Sequence, residues 1–229
     1  MRKRGGTKRR RTEGLPPVRR NYIKILLQKV DAIQYGESLK GGLSPLEQKT
    51  RNKALIALLF LSARRISEVV GRKYEYPDGH LDIWEGLRVT DFRITTLEDK
   101  PILRVRFRVL KRGKAKSELK TVMAFVDLRL NDPFCRHITA WLNHLGTEHQ
   151  RRVFEISRSR AWQIMTELDR NIWNHWFRHQ RLTQLSDTMD AFELKEFGKF
   201  ARLDTALQYV HKAPTKILAK TEEADRLWE

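Results

Sequence analysis

Between Tyr22 and Ile33, apolar residues fall at Ile23, Leu26, Leu27 and Val30, the spacing of one helix face, and Gly36 with Gly41-Gly42 closes this unit. Ser44-Pro45-Leu46-Glu47 then reads as a helix start, with Ser at the N-cap, Pro at the first helical position and Glu completing a capping box. The helix it opens runs through Leu55, Leu58, Leu59 and Leu61 and is apolar on most faces, which predicts the buried spine of the domain. A break near Ser62-Ala63 separates it from a second short helix, Arg65 to Val70. From Leu87 the period changes to two. Leu103, Val105, Phe107 and Val109 alternate with Arg104, Arg106 and Arg108, so one strand face packs inward and the other presents three cations. Lys111 to Lys116 makes the turn and Leu119 to Val126 returns. With Leu87 to Phe92 as the first strand, the pattern predicts a three-stranded antiparallel sheet.

After Asp132-Pro133 the helical pattern resumes. It predicts Phe134 to Leu145, Ser159 to Leu168 with Trp162 and Met165 inward, a helix at His175, and short helices around Glu193 and Thr205. Thr215 to Glu229 carries a weaker pattern through Ile217, Leu218, Ala224 and Leu227, and no internal repeat is visible. The expected fold class is α+β, mainly helical, with one small sheet.

The 229 residues suffice for one good-sized domain plus an extension. The densest apolar stretch, Ala54 to Leu61, is far too short to span a membrane, and the basic N-terminus has no secretory core. A soluble protein of the cytoplasm or nucleoid of its host cell is expected. Cys135 stands alone, which excludes an internal disulfide and a cysteine-built zinc module. A formal charge of +18 and a pI near 10.3 call for a polyanionic partner. A coating protein would share that charge, but six Trp and ten Phe supply a real core. Residues 1–20, with Arg9-Arg10-Arg11 and Pro16-Pro17, form a basic arm expected to be disordered without nucleic acid. Arg9, Arg10, Arg11, Arg104, Arg106, Arg108, Lys114 and Lys116 are the candidate contacts to that polyanion.

Candidate chemistry gathers in His175-Trp176-Phe177-Arg178-His179. In a helix His175 and Arg178 share a face, where an imidazole and a guanidinium can converge on a phosphate. Arg65, leading its own short helix, sits where free backbone N–H groups also favour an anion. Tyr209 follows a short apolar turn and could bring a phenolic oxygen to the same place, as a nucleophile toward a phosphodiester. Tyr22, Tyr35, Tyr74 and Tyr76 precede these motifs and read as packing or DNA-surface residues. His175 and His179 are an i,i+4 pair, but a zinc protease needs Glu beside the first His, and Trp176 stands there. No metal site is expected, and His179 reads as a structural hydrogen-bonding residue.

Taken in order, Ala63-Arg64-Arg65-Ile66-Ser67-Glu68, the lysines of the hairpin, the His-x-x-Arg-His box, Gly198-Lys199 and Tyr209 resemble the motifs of the tyrosine recombinases, or phage-type integrases, over residues 44 to 212. The resemblance implies that Arg65 and Arg178 clamp the non-bridging oxygens of the scissile phosphate, with Glu68 holding Arg65. It implies that His175 donates to the phosphate or exchanges a proton with Tyr209. A hairpin lysine would protonate the departing 5′-oxygen; Lys111 fits best, ahead of Lys114 and Lys116. At position 199 the family usually carries His or Trp. Lys199 can still donate to a phosphate oxygen, with Phe200 supplying the ring's packing. The implied activity is site-specific DNA recombination through a 3′-phosphotyrosyl intermediate, with no metal or nucleotide cofactor. A type IB topoisomerase-like relaxing enzyme and a non-catalytic DNA-binding descendant are the alternatives.

The family also implies double-stranded DNA as partner, a homo-tetramer on DNA, a monomer or weak dimer free, and a virus or plasmid mobile element as source. The expected organisation is a basic arm (1–20), a short helical segment or linker (21–43), a catalytic domain (44–212) and a C-terminal tail (213–229) exchanged between subunits. A helical core-binding domain usually precedes the catalytic one. Only 43 residues precede Ser44, so either arm and helix form a reduced clamp or the chain is truncated.

Overall fold

The computed structural model describes residues 20–36, 42–75, 79, 81–112, 119–173 and 175–210. The arm with Arg9, Arg10 and Arg11, the hairpin tip with Lys114 and Lys116, and the tail beyond Val210 lie outside them. Eight helices are described, α1 (Arg20–Ala32), α2 (Pro45–Ser62), α3 (Ile66–Val69), α4 (Cys135–Leu145), α5 (Arg158–Leu168), α6 (Trp176–Leu185), α7 (Ala191–Gly198) and α8 (Leu203–Leu207). The strands are β1 (Arg72–Glu75), β2 (Leu81–Trp84), β3 (Phe92–Leu97), β4 (Lys100–Arg112) and β5 (Leu119–Arg129). The expected α+β class is observed.

The spine is α2. Ser44 Oγ accepts the Glu47 N–H at 3.3 Å and the Glu47 carboxylate accepts the Ser44 N–H at 2.6 Å, with Pro45 opening the helix. Every residue from Ala54 to Ser62 is buried, because α1, α4 and α6 pack on different sides. The apolar face of α1, formed by Ile23, Leu26, Leu27 and Val30, is part of the same core. Arg20 grips Asp132 with two contacts of 2.8 and 2.6 Å, Tyr22 bonds Asp169, and Lys29 donates to the Leu168 carbonyl at 3.0 Å. A smaller apolar cluster, Ala63, Leu182, Leu194, Phe200 and Ala206, joins the end of α2 to α6, α7 and α8.

The main sheet is antiparallel in the order β3-β4-β5, pairing Phe92 with Val105 and Val105 with Val126. Leu103, Val105, Phe107 and Val109 are buried, as the alternation requires. Three expectations need correction. The first strand is Phe92–Leu97, not Leu87 to Phe92. Leu87 is buried and spends its N–H on Val69 O (2.9 Å) and its carbonyl on Val153 N–H (2.8 Å), and a 3₁₀ turn, Val89–Asp91, follows. Trp162 is 43% exposed, because the buried stripe of α5 is Ala161, Ile164, Met165 and Leu168, and position 162 lies about 100° off it. His175 does not lie inside a helix; it precedes α6 with φ −115° and ψ 9°.

A second hairpin, β1-β2, was not expected. Its base closes where Gly71 and Gly86, both at φ +95°, cross: a Cβ on Gly71 would stand 2.3 Å from Trp84 O, and one on Gly86 2.6 Å from the Val70 carbonyl carbon. Only glycine allows that approach. Among the described residues no helix is long and apolar enough to cross a membrane.

Candidate active site

Three helix ends meet where α2 stops. Ala63 caps α2 in the left-handed region, φ 51°, and is fully buried. That turn exposes the Ala63 carbonyl to Arg178 of α6, whose Nη1 donates to it at 2.7 Å. Nη2 of the same guanidinium donates to the Gly198 carbonyl at the end of α7, also at 2.7 Å. Arg178 thus ties α2 to α7 by satisfying carbonyls that helix termini leave open. Its guanidinium carbon lies 4.7 Å from the Phe200 ring centroid. Burial first, then the Arg65 charge, lowers its pKa to about 10, with Glu68 and Tyr209 acting in the opposite sense. Arg178 therefore stays cationic at neutral pH.

Arg65 leads α3. Glu68, buried to 1% exposure, holds it twice, accepting its backbone N–H and its Nη1, each at 3.0 Å. The i,i+3 spacing gives this clasp, and it fixes the root of a side chain that stays 39% exposed.

His175 stands one helical turn ahead of Arg178. Burial, followed by the positive charges of Arg65, Arg178 and Arg158, pushes its pKa below 6.5, so the neutral imidazole is favoured. Tyr209 lies just past α8, its N–H on Ala206 O at 2.9 Å. Its ring stacks on Phe200, centroids 5.9 Å apart, and meets His179 edge-on at 5.3 Å. Burial raises the phenol pKa, while Arg178 and Arg65 pull it down. Arg65 and Arg178 thus act on both His175 and Tyr209, and the α2–α3 turn, the head of α6 and the end of α8 share one electrostatic neighbourhood. His179 also contacts Thr183, Nδ1 to Oγ1 at 3.4 Å, and Trp173 edge-on.

The lysines are placed differently. Lys199 follows α7 at φ 51°, with its ammonium on the Glu196 carboxylate. Lys111 pairs with Lys120 in the β4-β5 ladder, but its side chain lies outside the described residues. Of the strand cations, Arg104 makes a two-pronged contact with Asp127 at 2.7 and 2.8 Å, Arg106 pairs with Asp91 at 2.8 Å, and Arg108 lies over Trp84. Among the described residues no group of His, Cys, Asp or Glu could hold a metal ion.

Sequence reasoning passed over Arg64, which is 2% exposed and donates to the Phe197 carbonyl. The available signal was an Arg-Arg doublet directly after an apolar helix.

No protein-family profile matches the chain, and no curated protein does either. Solved structures do. The chain is 18% identical to the XerH site-specific recombinase bound to its difH substrate in a pre-cleavage complex, with a TM-score of 0.53 over 94% of this chain and 55% of that one. It is 14% identical to the XerA recombinase, with the same TM-score over 95% of this chain and 67% of that one. The chain thus spans little more than half the length of XerH. At these identities the similarity is one of fold: the chain shares the architecture of the matched part of these recombinases.

Proposed function

We propose that this chain is a tyrosine-type DNA strand transferase that acts in site-specific recombination. The observation that carries the reading is the bridge made by Arg178, bonded to the Ala63 carbonyl two residues before Arg65 and packed on the Phe200 ring that stacks on Tyr209, in a fold shared with recombinases. In this reading Arg65 and the N–H groups of Arg178 that do not serve the Ala63 and Gly198 carbonyls bind the non-bridging oxygens of a scissile phosphate, and their charge stabilises the more anionic transition state. Neutral His175 accepts the phenolic proton as Tyr209 Oη attacks phosphorus. The new bond joins tyrosine to a 3′-phosphate, the bond from phosphorus to the 5′-oxygen breaks, and Lys111 protonates that oxygen. A second 5′-hydroxyl then reverses these steps and releases Tyr209. No bond energy is lost, so neither metal nor nucleotide is required.

Glu68 orients Arg65, and Lys199 reaches the phosphate by exchanging Glu196 for it. Arg104, Arg106 and Arg108, with Lys114, Lys116 and the arm arginines 9 to 11, contact backbone phosphates. DNA competes there with Asp127 and Asp91 for two of the three strand cations. Residues 44–212 act as the catalytic domain, 1–20 as a DNA-binding arm, and 213–229 as a tail exchanged within a tetramer that assembles on DNA. A virus or plasmid mobile element is the setting this activity suits.

The test is incubation with supercoiled DNA spanning the protein's own gene and flanks, wild type beside Tyr209→Phe. Recombinant joints from wild type alone are expected. Relaxation without joints would replace recombination by a topoisomerase activity, and DNA binding without any strand cleavage would leave a non-catalytic binding protein.

A further inference from the structure

Arg64 and Arg65 are neighbours with opposite environments. Arg65 is partly exposed; Arg64 is buried, with its guanidinium carbon 5.6 Å from the Phe107 ring centroid and 6.0 Å from that of Phe197. Its Nη2 donates to the Phe197 carbonyl, while Nε and Nη1 are buried without a hydrogen-bond partner. Phe107 belongs to the main core, and Phe197 packs against both apolar clusters, so Arg64 lies at their seam. Its acceptor is one of the last carbonyls of α7, and the next, that of Gly198, is taken by Arg178. Two guanidiniums therefore cap consecutive carbonyls at a helix C-terminus, where the dipole favours cations. From there the chain passes through Lys199 to Phe200, the ring that lies under Arg178 and stacks on Tyr209.

A buried cation with two unmatched nitrogens is a costly way to fill a position that Met would fill without desolvation. What Met cannot supply is the bond to the Phe197 carbonyl. We propose that Arg64 is a positioning residue of the site: by holding that carbonyl it fixes the last turn of α7 against the Ala63–Arg65 segment, and with it the Gly198–Arg178 bond and the Phe200 platform beside Tyr209. The proposal rests on reading Tyr209 as the nucleophile, but the geometry it asserts is measurable without DNA.

The test uses the full chain as wild type, Arg64→Met and Arg64→Lys, with tyrosine ring carbons labelled for NMR and Tyr209→Phe to assign the Tyr209 signal. Arg64→Met is expected to unfold at the same urea concentration as wild type or higher, yet to shift the Tyr209 resonance. Its phenol should titrate at higher pH, because Arg178, one of the two cations that pull it down, loosens. Covalent adduct formation should slow by about 10²-fold, as for a reacting group misplaced by about an ångström, while DNA affinity changes less than about twofold. Arg64→Lys, which keeps a charge and a donor, should fall between the two. Stable Arg64→Met with the wild-type Tyr209 resonance, titration and adduct rate would overturn the proposal and make Arg64 a space-filler. If Arg64→Met does not fold, Arg64→Gln, too short to reach the carbonyl, is read by the same criteria; failure of both to fold would make Arg64 a core group and equally end the positioning claim. Absence of adduct from wild type would sink the nucleophile reading instead and leave the Tyr209 spectra to decide on Arg64.

Discussion

Arg178 braces three helices in the fold, and in the proposed reaction the same side chain also binds phosphate. Its terminal nitrogens satisfy the Ala63 and Gly198 carbonyls, so Arg178→Ala removes a cation and orphans two buried acceptors. The loss should be about 2 to 4 kcal/mol of stability, read from urea unfolding midpoints. An unchanged midpoint would mean that these bonds contribute nothing net. The spacing of Arg178 from His175 led to an expectation of anion binding, which stands as a proposal, whereas the brace was not legible. Its acceptors are backbone carbonyls 115 and 20 residues away, freed by helix ends that a side-chain pattern does not record. The same limit hid Arg64, whose environment is set by Phe107 and Phe197 from distant elements. Glu68 was legible because an i,i+3 clasp is local.

At the scale of elements, the turn between α7 and α8 is the tightest part of the candidate site. A Cβ on Gly198 would meet the Phe200 ring at 2.6 Å, and that ring touches both Arg178 and Tyr209. Gly198→Ala should therefore cost about 1 to 3 kcal/mol and slow strand cleavage together, because the displaced ring carries both neighbours with it. Unfolding midpoints and single-turnover cleavage rates check this, and a variant with both at wild-type values would refute it. By contrast, Ser44→Ala breaks a cap far along the chain from those residues; about 1 kcal/mol of stability should be lost with the cleavage rate intact. The capping box, the apolar spine and the strand alternation were legible because each is written within a few residues. The β1-β2 hairpin was not, since its strands are only four residues each, β1 is mostly charged, and it closes on a glycine crossing. Leu87 misled for a related reason: a buried apolar residue bonded to Val69 and Val153 looks like a strand residue in the sequence alone.

For the whole molecule, charge and burial set how it responds to solvent. His137, His175 and His179 are each held below 6.5 by burial as the leading cause. The unfolded chain binds protons near 6.5, whereas the folded chain binds them only at lower pH, so stability should be intact above 6.5 and decline as pH falls below it. Thermal midpoints across that window test it; a flat or rising midpoint contradicts it. In the proposed reaction Tyr209 forms a covalent bond to DNA. Its most direct measurement is mass spectrometry of the SDS-resistant adduct after nuclease and trypsin digestion, since the peptide Leu203 to Lys212 contains Tyr209 as its only tyrosine. That peptide bearing a phosphodiester-linked nucleotide on Tyr209 is the expected result, absent from Tyr209→Phe. An adduct mapped to any other residue, or one that persists in Tyr209→Phe, would contradict the account.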